Sequence, residues 1–575
     1  MVAVTDRVKN RLTTETSKIA PNTTAIRSLD WDRDRFDIEF GLQNGTTYNS
    51  FIIRGEKNAL IDTSHAKFRQ LYLDILWGLI EPTEIDYLII SHTEPDHSGL
   101  AKDIIELAPQ VTVVGAKVAI QFLENLVHTP FNKQIVKNGD QLDLGNGHVL
   151  EFVSAPNLHW PDTIFTYDSK TQTLFTCDAF GMHYCSDKTY DENLSDIEPD
   201  YKFYYECLMA PNARSVLSAM KRMKALGEIN TIATGHGPLL RYNLVELTNR
   251  YEEWSKAQSK AETTVAVFYT SDYGYSDRLS QAIAHGITKT GVAVEMMDLK
   301  SADPQEVREL VEMAKGIVIG SPPSTGPAAS SMETAISTIL AAANKKQTFG
   351  LFESGGGDDL SVYPLANQLK ELGLKQAFPN ILIKETPSEL TYKLCEEAGT
   401  DAGQLLSLKQ NIKQMKSLDS DLDKALGRLS GGLYIITATK GEVSSAMLAS
   451  WVVQASFKPL GVSIAVAKDR AIEALMQVGD RFVLNVLRED NYQGLMRHFL
   501  KRFPPGADRF AGVNTQTAKN GSPILGDALA YLECEVASRM EASDHWIIYA
   551  TVDTGRVSDS DILPAVHHRK VGNHY

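Results

Sequence analysis

The stretch Tyr87-Leu88-Ile89-Ile90-Ser91-His92-Thr93-Glu94-Pro95-Asp96-His97 joins an apolar run to a dense group of polar side chains. We predict that Tyr87–Ser91 is a short strand. Imidazole together with carboxylate favours iron or manganese over metals that prefer thiolate. Because α/β folds present their chemistry at strand ends, the stretch predicts a metal site on an α/β fold. Four potential ligands fall within six residues, namely His92, Glu94, Asp96 and His97.

Three more candidate ligands lie further along the chain. His159 and His236 stand in turn-rich surroundings, and Asp178 follows the predicted strand Thr173–Thr176. Residues 1–261 mix short strands with helical patterns, which indicates a layered α/β sandwich. A second interpretation stays open from these residues alone. In it, the HxExDH stretch is a polar loop with a helix cap, and the two later histidines are structural.

From Thr263 onward, predicted strands and predicted helices alternate strictly along the sequence. Such alternation predicts a doubly wound parallel sheet over residues 263–402, with both faces covered. Residues 403–428 contain many Lys, Asp and Gln and predict a helical or flexible linker, and residues 429–575 are β-rich again. The predicted strands of the middle segment are Thr264–Tyr269, Ala293–Asp298, Gly316–Ile319, Gln347–Glu353 and Asn380–Lys384.

Three loops in this middle segment predict a flavin site. The first opens a helix with small hydroxyl residues and a glycine, so its free backbone N–H groups and the helix dipole favour a phosphate. Ligands of doubly wound sheets bind outside the carboxyl ends of the strands, where the other two loops lie. The alternative is that all three are tight turns. The residues are Thr270, Ser271, Asp272, Tyr273, Gly274, Tyr275 and Ser276; Ser321, Pro322, Pro323, Ser324, Thr325 and Gly326; and Ser354, Gly355, Gly356 and Gly357.

Length and composition exclude several classes of protein. At 575 residues the chain is too long for one core, and its 43% apolar content is that of a globular protein. A net charge of −15 without a basic stripe argues against nucleic acid as a partner. We find no secretory signal and no run of 18 apolar residues, so we expect no integral membrane segment. The five cysteines lie far apart, which indicates a reducing, cytoplasmic compartment.

The candidate ligands resemble those of the metallo-β-lactamase fold, and specifically of its flavodiiron branch. The hydrolase branch typically reads HxHxDH and binds zinc, whereas Glu94 replaces the second histidine here and favours an iron couple. The resemblance implies that His92, Glu94 and His159 hold one iron. It likewise implies that Asp96, His97 and His236 hold the other, with Asp178 bridging the pair.

The first loop of the middle segment resembles the phosphate loop of flavodoxin, which implies FMN. The third loop departs from the family because it lacks the aromatic residue that often stacks on the flavin.

The last segment resembles the flavin reductase family, a split β-barrel that binds FMN or FAD and accepts hydride from NADH or NADPH. The resemblance rests on the stretch Ala449-Ser450-Trp451-Val452-Val453-Gln454-Ala455-Ser456-Phe457-Lys458-Pro459 and on Asp544-His545. It implies that Ser450, Gln454, Ala455, Ser456 and His545 approach a second flavin. The alternative is a β-domain used only for oligomerisation.

Over the whole chain the arrangement resembles the modular diflavin flavoproteins of cyanobacteria and other oxygenic phototrophs. That implies an NAD(P)H:oxygen oxidoreductase that reduces O2 to water, with reduced ferredoxin as another possible donor. It also implies a homodimer or a hetero-oligomer with a paralogue. Three alternatives stay open: nitric oxide as the substrate, a zinc-type hydrolase with a regulatory flavin domain, and a weakly active subunit that works by pairing with a paralogue.

Overall fold

The computed structural model describes residues 11–33, 35–36, 40–270, 275–300, 302–321, 329–353, 362–415 and 421–569. The chain divides into two compact units, one comprising Met1–Phe36 and Asn44–Glu262 and the other Asp37–Gln43 and Thr263–Tyr575. Within the described ranges, no helix combines the length and the apolar character needed to cross a bilayer.

The first unit is built on two sheets. Its strands are β1 (Leu12–Ala20), β2 (Thr23–Asp30), β3 (Arg35–Phe36), β5 (Thr46–Arg54), β6 (Asn58–Ile61), β7 (Ile85–Ile90), β8 (Thr112–Gly115), β9 (Asn132–Ile135), β10 (Gln141–Gly145), β11 (His148–Ser154), β12 (Ile164–Asp168), β13 (Thr173–Cys177) and β14 (Thr231–Thr234). The two-residue strand β4 (Phe40–Gly41) is counted with the second unit. The helices of the first unit are α1 (Arg69–Leu79), α2 (Pro95–Ser98), α3 (Ala101–Leu107), α4 (Lys117–Val127), α5 (Leu194–Tyr204), α6 (Ala213–Met223) and α7 (Leu244–Ser259).

The two sheets pack face to face. One has the order β1-β2-β5-β6-β7-β8-β9 and the other the order β10-β11-β12-β13-β14. Ile89 of β7 and Phe175 of β13 belong to one buried apolar cluster between the sheets. Helices α1, α3 and α4 cover the outer face of the first sheet, and α6 packs on β11 of the second. This layering brings the ends of β7, β13 and β14 to one edge of the unit.

The second unit opens with a parallel sheet whose order is β16-β15-β17-β18-β19, with β20 also paired to β18. The strand order reverses at β15, so the carboxyl ends of β15 and β17 form the switch point at which such sheets bind ligands. Its strands are β15 (Thr264–Tyr269), β16 (Ala293–Asp298), β17 (Gly316–Ser321), β18 (Thr348–Glu353), β19 (Lys375–Gln376) and β20 (Ile381–Leu382). Its helices are α8 (Tyr275–Thr288), α9 (Pro304–Met313), α10 (Ala329–Ala342), α11 (Val362–Glu371) and α12 (Glu389–Met415).

The fifth strand of this sheet differs from the prediction. In place of one strand over Asn380–Lys384, two short pieces, β19 and β20, pair with opposite ends of β18. Pro379 stands between them and has no N–H group to donate to a ladder. The intervening Phe378 ring packs where Gly350 leaves space, since a Cβ on Gly350 would lie 2.2 Å from that ring.

Helix α12 runs through the predicted boundary at residue 402 to Met415, so the first half of the predicted linker is helical and continuous with the preceding module. It packs on α8 with the two backbones in contact. A Cβ on Gly399 would lie 2.0 Å from the carbonyl oxygen of Ile283, and one on Gly286 would lie 2.0 Å from that of Glu396. The boundaries of the domains stay a prediction.

The rest of the second unit is an antiparallel sheet of order β23-β22-β26-β29-β30-β25-β24, closed around Ile464, Phe482 and Ile548. The helices are α13 (Asp421–Leu426) and α14 (Tyr492–Phe499). The strands are β21 (Gly431–Gly432), β22 (Tyr434–Lys440), β23 (Val443–Ala449), β24 (Val452–Phe457), β25 (Leu460–Ala467), β26 (Arg481–Val486), β27 (Thr515–Thr517), β28 (Pro523–Leu525), β29 (Ala530–Ala542), β30 (His545–Val557) and β31 (Val566–His567).

The contact between α8 and α12 gives a test of this packing. We expect Gly399→Ala to destabilise the second unit by about 1–3 kcal/mol, since the new methyl group overpacks the helix contact. The matched control is Gly494→Ala in α14, where a Cβ would meet no atom within 4 Å. There the same change should stabilise the protein by about 0.5–1 kcal/mol. Calorimetric unfolding measures both, and equal effects would contradict the close approach.

Candidate functional site

The seven predicted ligands come from the loops that leave four strands of the first unit. The end of β7 leads into His92 and Glu94, and α2 carries Asp96 and His97. The loop between β11 and β12 supplies His159, β13 leads into Asp178, and β14 leads into His236. The structure brings all seven side chains together in two groups.

The first group comprises His92, Glu94 and His159. Nε2 of His159 lies 2.9 Å from Oε2 of Glu94, and Nε2 of His92 lies 3.4 Å from the same oxygen. Oδ2 of Asp178 lies 3.6 Å from both imidazole nitrogens. Three side chains from two loops therefore converge on one point beside Asp178.

The second group comprises Asp96, His97 and His236. Oδ1 of Asp178 lies 3.0 Å from Nε2 of His97 and 3.3 Å from Nε2 of His236. Asp96 closes this group, with carboxylate oxygens 3.5 Å from Nε2 of His97 and 3.3 Å from Nε2 of His236. Asp178 thus presents one oxygen to each group, which is the arrangement of a bridging carboxylate.

The donor set fits two cations. Six of the seven residues are at most 6% exposed, so three carboxylates and four imidazoles share a site without water as a ready partner. In the described part of the chain, Nε2 of His92, Oδ1 of Asp96 and Oδ2 of Asp178 are buried and make no hydrogen bond. Buried polar atoms ordinarily have a partner. A cation bound in each group would give these three atoms the partners that they lack.

The electrostatics of the site keep its carboxylates ionised. Burial and Asp96 would raise the pKa of Glu94, but His159 and His92 lower that pKa to about 2. Burial would lower the pKa of His236, but Asp178 and Asp96 raise it to about 10. The His236 imidazole therefore holds a proton near neutral pH when no cation is bound, and metal binding must release that proton.

A second layer of groups orients the ligands. Nδ1 of His92 donates to Oδ1 of Asp162 at 2.8 Å, and Nδ1 of His236 donates to the carbonyl oxygen of Thr47 at 2.6 Å. Such bonds fix the tautomer that leaves each Nε2 free to face a metal. The hydroxyl of Tyr204 donates to Oδ1 of Asp178 at 2.8 Å.

Sequence reasoning did not single out these supporting residues. The available signal for Asp162 was its acidic side chain three residues after the candidate ligand His159. Tyr204 gives no such signal, since it lies at the end of α5, just before a π-helical turn over Tyr205–Met209. Turns of that kind are frequent at functional sites.

Two backbone positions allow this convergence. Cys177 has φ of +53°, a left-handed conformation that redirects the chain at the end of β13. A Cβ on Gly235 would lie 2.7 Å from Cε1 of His97, so only glycine lets the β14 loop pass this close to the ring.

The predicted FMN residues are described only in part. Thr270 is buried at the end of β15, Tyr275 and Ser276 begin α8, and Ser321 ends β17. These positions flank the switch point of the parallel sheet. Ser271, Asp272, Tyr273, Gly274, Pro322, Pro323, Ser324, Thr325, Gly326, Ser354, Gly355, Gly356 and Gly357 lie outside the described residues.

The residues predicted for the second flavin fall in different places. Ser450 and its neighbour Trp451 line a cavity of about 520 Å³, and Oγ of Ser450 is buried without a hydrogen bond in the described structure. Gln454, Ala455 and Ser456 lie instead on β24 and face mainly outward. His545 begins β30 and packs against Trp451 with ring centroids 5.1 Å apart.

Comparison with known families follows the same three-part division. A model described as "ODP family beta lactamase" matches residues 46–237, one described as "Flavodoxin" matches residues 267–399, and one described as "Flavin reductase like domain" matches residues 426–573. The predicted fold class is confirmed: a metallo-β-lactamase-like αββα sandwich, a flavodoxin-like sheet and a flavin reductase-like barrel.

Relatives match over nearly the whole chain. The Diflavin flavoprotein A 1 of Synechocystis sp. (strain ATCC 27184 / PCC 6803 / Kazusa) is 69% identical over 567 residues, which cover 99% of each chain. The solved structure of the metal-soaked Flv1 flavodiiron core from Synechocystis sp. PCC6803 is 37% identical with a TM-score of 0.64. It covers 69% of this chain and 99% of that one.

The position of Asp178 between the two ligand groups can be tested through the iron content of a variant. We expect Asp178→Asn to lower the iron content of anaerobically reconstituted protein from about two ions per chain to below about one, since both groups lose a charged donor. The matched control is Asp168→Asn, another buried carboxylate of this unit, which accepts from His148 at 2.9 Å. Elemental analysis of both variants decides, and two irons in the Asp178 variant would refute the bridging role.

Proposed function

The chain belongs to the diflavin flavoprotein A family of flavodiiron proteins, and from that premise we propose that it is an NAD(P)H:oxygen oxidoreductase that reduces O2 to water. Flavodiiron proteins are oxidoreductases, so this chain is one, and the zinc-hydrolase alternative is set aside. Flavin and non-haem iron are the cofactors that the family supports. The gas that is reduced and the source of the electrons are the proposed parts.

The proposal depends on one observation, which is that the two carboxylate oxygens of Asp178 face different ligand groups. Its two oxygens lie 3.0 Å from His97 on one side and 3.6 Å from His92 on the other. We propose that His92, Glu94 and His159 hold one iron, and that Asp96, His97 and His236 hold the other. Carboxylate and imidazole ligands suit iron. The Cys177 thiol also lies near His97 and Asp178, and burial raises its pKa well above the usual value.

The enclosure of the site supports a small substrate. His92 and His97 are fully buried, and Asp96 is the most exposed of the seven, with 14% of its side chain accessible. Such a site admits a diatomic gas more readily than a lactam or a thioester. The same reasoning keeps nitric oxide as the second candidate substrate.

The reaction 2 NAD(P)H + 2 H⁺ + O2 → 2 NAD(P)⁺ + 2 H2O needs four electrons at one place. When bound at this site, two irons would supply two of these electrons and a reduced flavin the other two. The chain's own contribution is to position groups and to hold protons. Burial and the Asp178 carboxylate raise the pKa of the Tyr204 hydroxyl, so Tyr204 keeps its proton beside the bridging oxygen. The rings of Trp160 and His92, 5.0 Å apart, help to exclude water.

We place FMN at the switch point of the parallel sheet and the second flavin, FMN or FAD, in the cavity of about 520 Å³ at Ser450 and Trp451. Ligand cavities of cofactor size span about 300–1,000 Å³. The unbonded Ser450 hydroxyl is a ready donor to such a ligand. NADH or NADPH would reduce this flavin, and reduced ferredoxin is the other candidate donor.

We further propose an oligomer in the cytoplasm, either a homodimer or a hetero-oligomer with a paralogue. Val453, Phe457 and Leu460 are 63%, 81% and 54% exposed at the edge of the barrel, and apolar surface of this kind suits a subunit contact. All five cysteines are buried and form no disulfide, which suits a reducing compartment.

Gas consumption by the iron- and flavin-loaded protein tests the substrate. We expect NADH or NADPH to drive O2 uptake with two nicotinamides oxidised per O2 and little peroxide released. An oxygen electrode and a nitric oxide electrode, used with the same donor, measure both rates. His236→Ala should abolish uptake while leaving flavin content unchanged. Faster loss of nitric oxide than of oxygen would overturn the assignment to O2.

A pair of serines tests the second flavin site. Ser450→Ala should weaken binding of that flavin about 5-fold, the effect of one lost hydrogen bond of about 1 kcal/mol. Ser456→Ala is the matched control, since its hydroxyl is already bonded to the carbonyl oxygen of Pro459 at 2.6 Å and to Tyr549 at 2.8 Å. Fluorescence titration with FMN and FAD measures each affinity, and a larger loss for Ser456 would place the flavin on β24.

A further inference from the structure

Two carboxylates and three cations are buried together where the parallel-sheet module of the second unit meets its barrel. Nζ of Lys289, just after α8, lies 2.6 Å from Glu396 and 2.8 Å from Glu473. Lys393 lies 2.9 Å from the other oxygen of Glu396, and Arg539 of β29 pairs with Glu473. We call these five residues the joint cluster. Their side chains are only 2–10% exposed.

The cluster links the two modules chemically. Lys289, Lys393 and Glu396 belong to the parallel-sheet module, whereas Glu473 and Arg539 belong to the barrel. Burial would raise the pKa of Glu396, but Lys289 and Lys393 lower it to about 2, so it stays charged. Removing one partner of a buried ion pair leaves an uncompensated charge, which is strongly unfavourable. The contact between Lys289 and Glu473 therefore opposes separation of the modules.

A row of polar side chains on α12 makes further contacts between the parallel-sheet module and the barrel. Glu397 lies 3.0 Å from Arg509, Asp401 lies 2.8 Å from Arg502, and Gln404 donates to Asp469 at 2.9 Å. Positions 397, 401 and 404 follow the i, i+4, i+7 spacing of one helix face. Each partner comes from the barrel, so residues 397–404 of the helix are bonded to the barrel at three positions.

We propose that the joint cluster is a fixed joint, which holds the flavodoxin-like module and the reductase-like barrel in one orientation throughout turnover. Electrons would then pass between the two flavin sites without a swing of one module away from the other. That electron-transfer consequence rests on the proposed function, whereas the joint itself rests only on the ion pairs.

The test uses the full-length protein loaded with iron and flavins. We expect the second unit of the native protein to unfold in a single calorimetric transition. Glu473→Gln should split that transition into two, because the buried cations Lys289 and Arg539 lose their shared partner. Glu535→Gln is the matched control, since Glu535 pairs with Arg481 on the barrel surface with side chains 38% and 57% exposed. It should leave the unfolding unchanged. A single unshifted transition in the Glu473 variant would refute the joint.

Electron transfer provides the second readout. In Glu473→Gln, reduction of the FMN by NAD(P)H in a stopped-flow experiment should slow by about tenfold or more, since small misplacements of reacting groups cost such factors. Turnover with ferricyanide as acceptor should change less than about twofold, because neither Glu473 nor Arg539 lines the cavity at Ser450 in which we place the second flavin. Equal slowing of both reactions would count against the joint. If the native protein oxidises no nicotinamide, the proposed function fails while the calorimetry still decides the joint.

A second variant covers the case in which Glu473→Gln does not fold. Arg539→Met combined with Glu473→Gln removes one charge of each sign and avoids an orphaned ion, because Lys289 and Lys393 both keep Glu396 as their partner. We expect this pair to fold and still to show two transitions. A native-like single transition would refute the proposal.

Discussion

The structure of the first unit depends on the cost of burying three carboxylates at one edge of a two-sheet sandwich. Glu94, Asp96 and Asp178 cannot share a dry site unless positive charge lies among them. Asp178 is the centre of this constraint because each of its oxygens faces a separate ligand group. The left-handed conformation of Cys177 at the end of β13 places Asp178. Gly235 passes close beside His97, and Asp162 orients the His92 ring that faces the second oxygen of Asp178. The candidate metal centre therefore depends on the same strand ends that define the fold of this unit.

The sequence predicts the local part of this site and leaves the long-range part to resemblance. His92 and Glu94 could be predicted because a strand end places neighbouring residues in one loop. Their meeting with His159 or His236 depends on the pairing of distant strands, which no spacing reveals. Tyr204 was missed because its contact with Asp178 exists only after α5 packs. The strand predicted over Asn380–Lys384 is present as Ile381–Leu382, whereas Lys375–Gln376 was missed because its polar side chains give no apolar pattern.

Helix α12 shows a different limit of prediction. The helix is rich in charged and polar residues on both sides of residue 402, and such a composition ordinarily indicates solvent exposure. Glu396 and Glu397 are nevertheless buried, because Lys289 and Arg509 from distant parts of the chain neutralise them. Charged residues become interior residues when their partners are equally buried, and the identity of those partners is tertiary information.

The two buried charge clusters of this chain differ in a way that separates function from architecture. In the joint cluster the lysines and Arg539 supply the positive charge, so it is satisfied without any added ion. In the metal centre the donors are carboxylates and imidazoles, and atoms such as Oδ2 of Asp178 remain unbonded. A flexible tether alone would hold two modules at an effective concentration of about millimolar. Buried pairing such as that between Lys289 and Glu473 adds a defined orientation, and the proposed electron transfer between two flavin sites would depend on that orientation as well as on proximity.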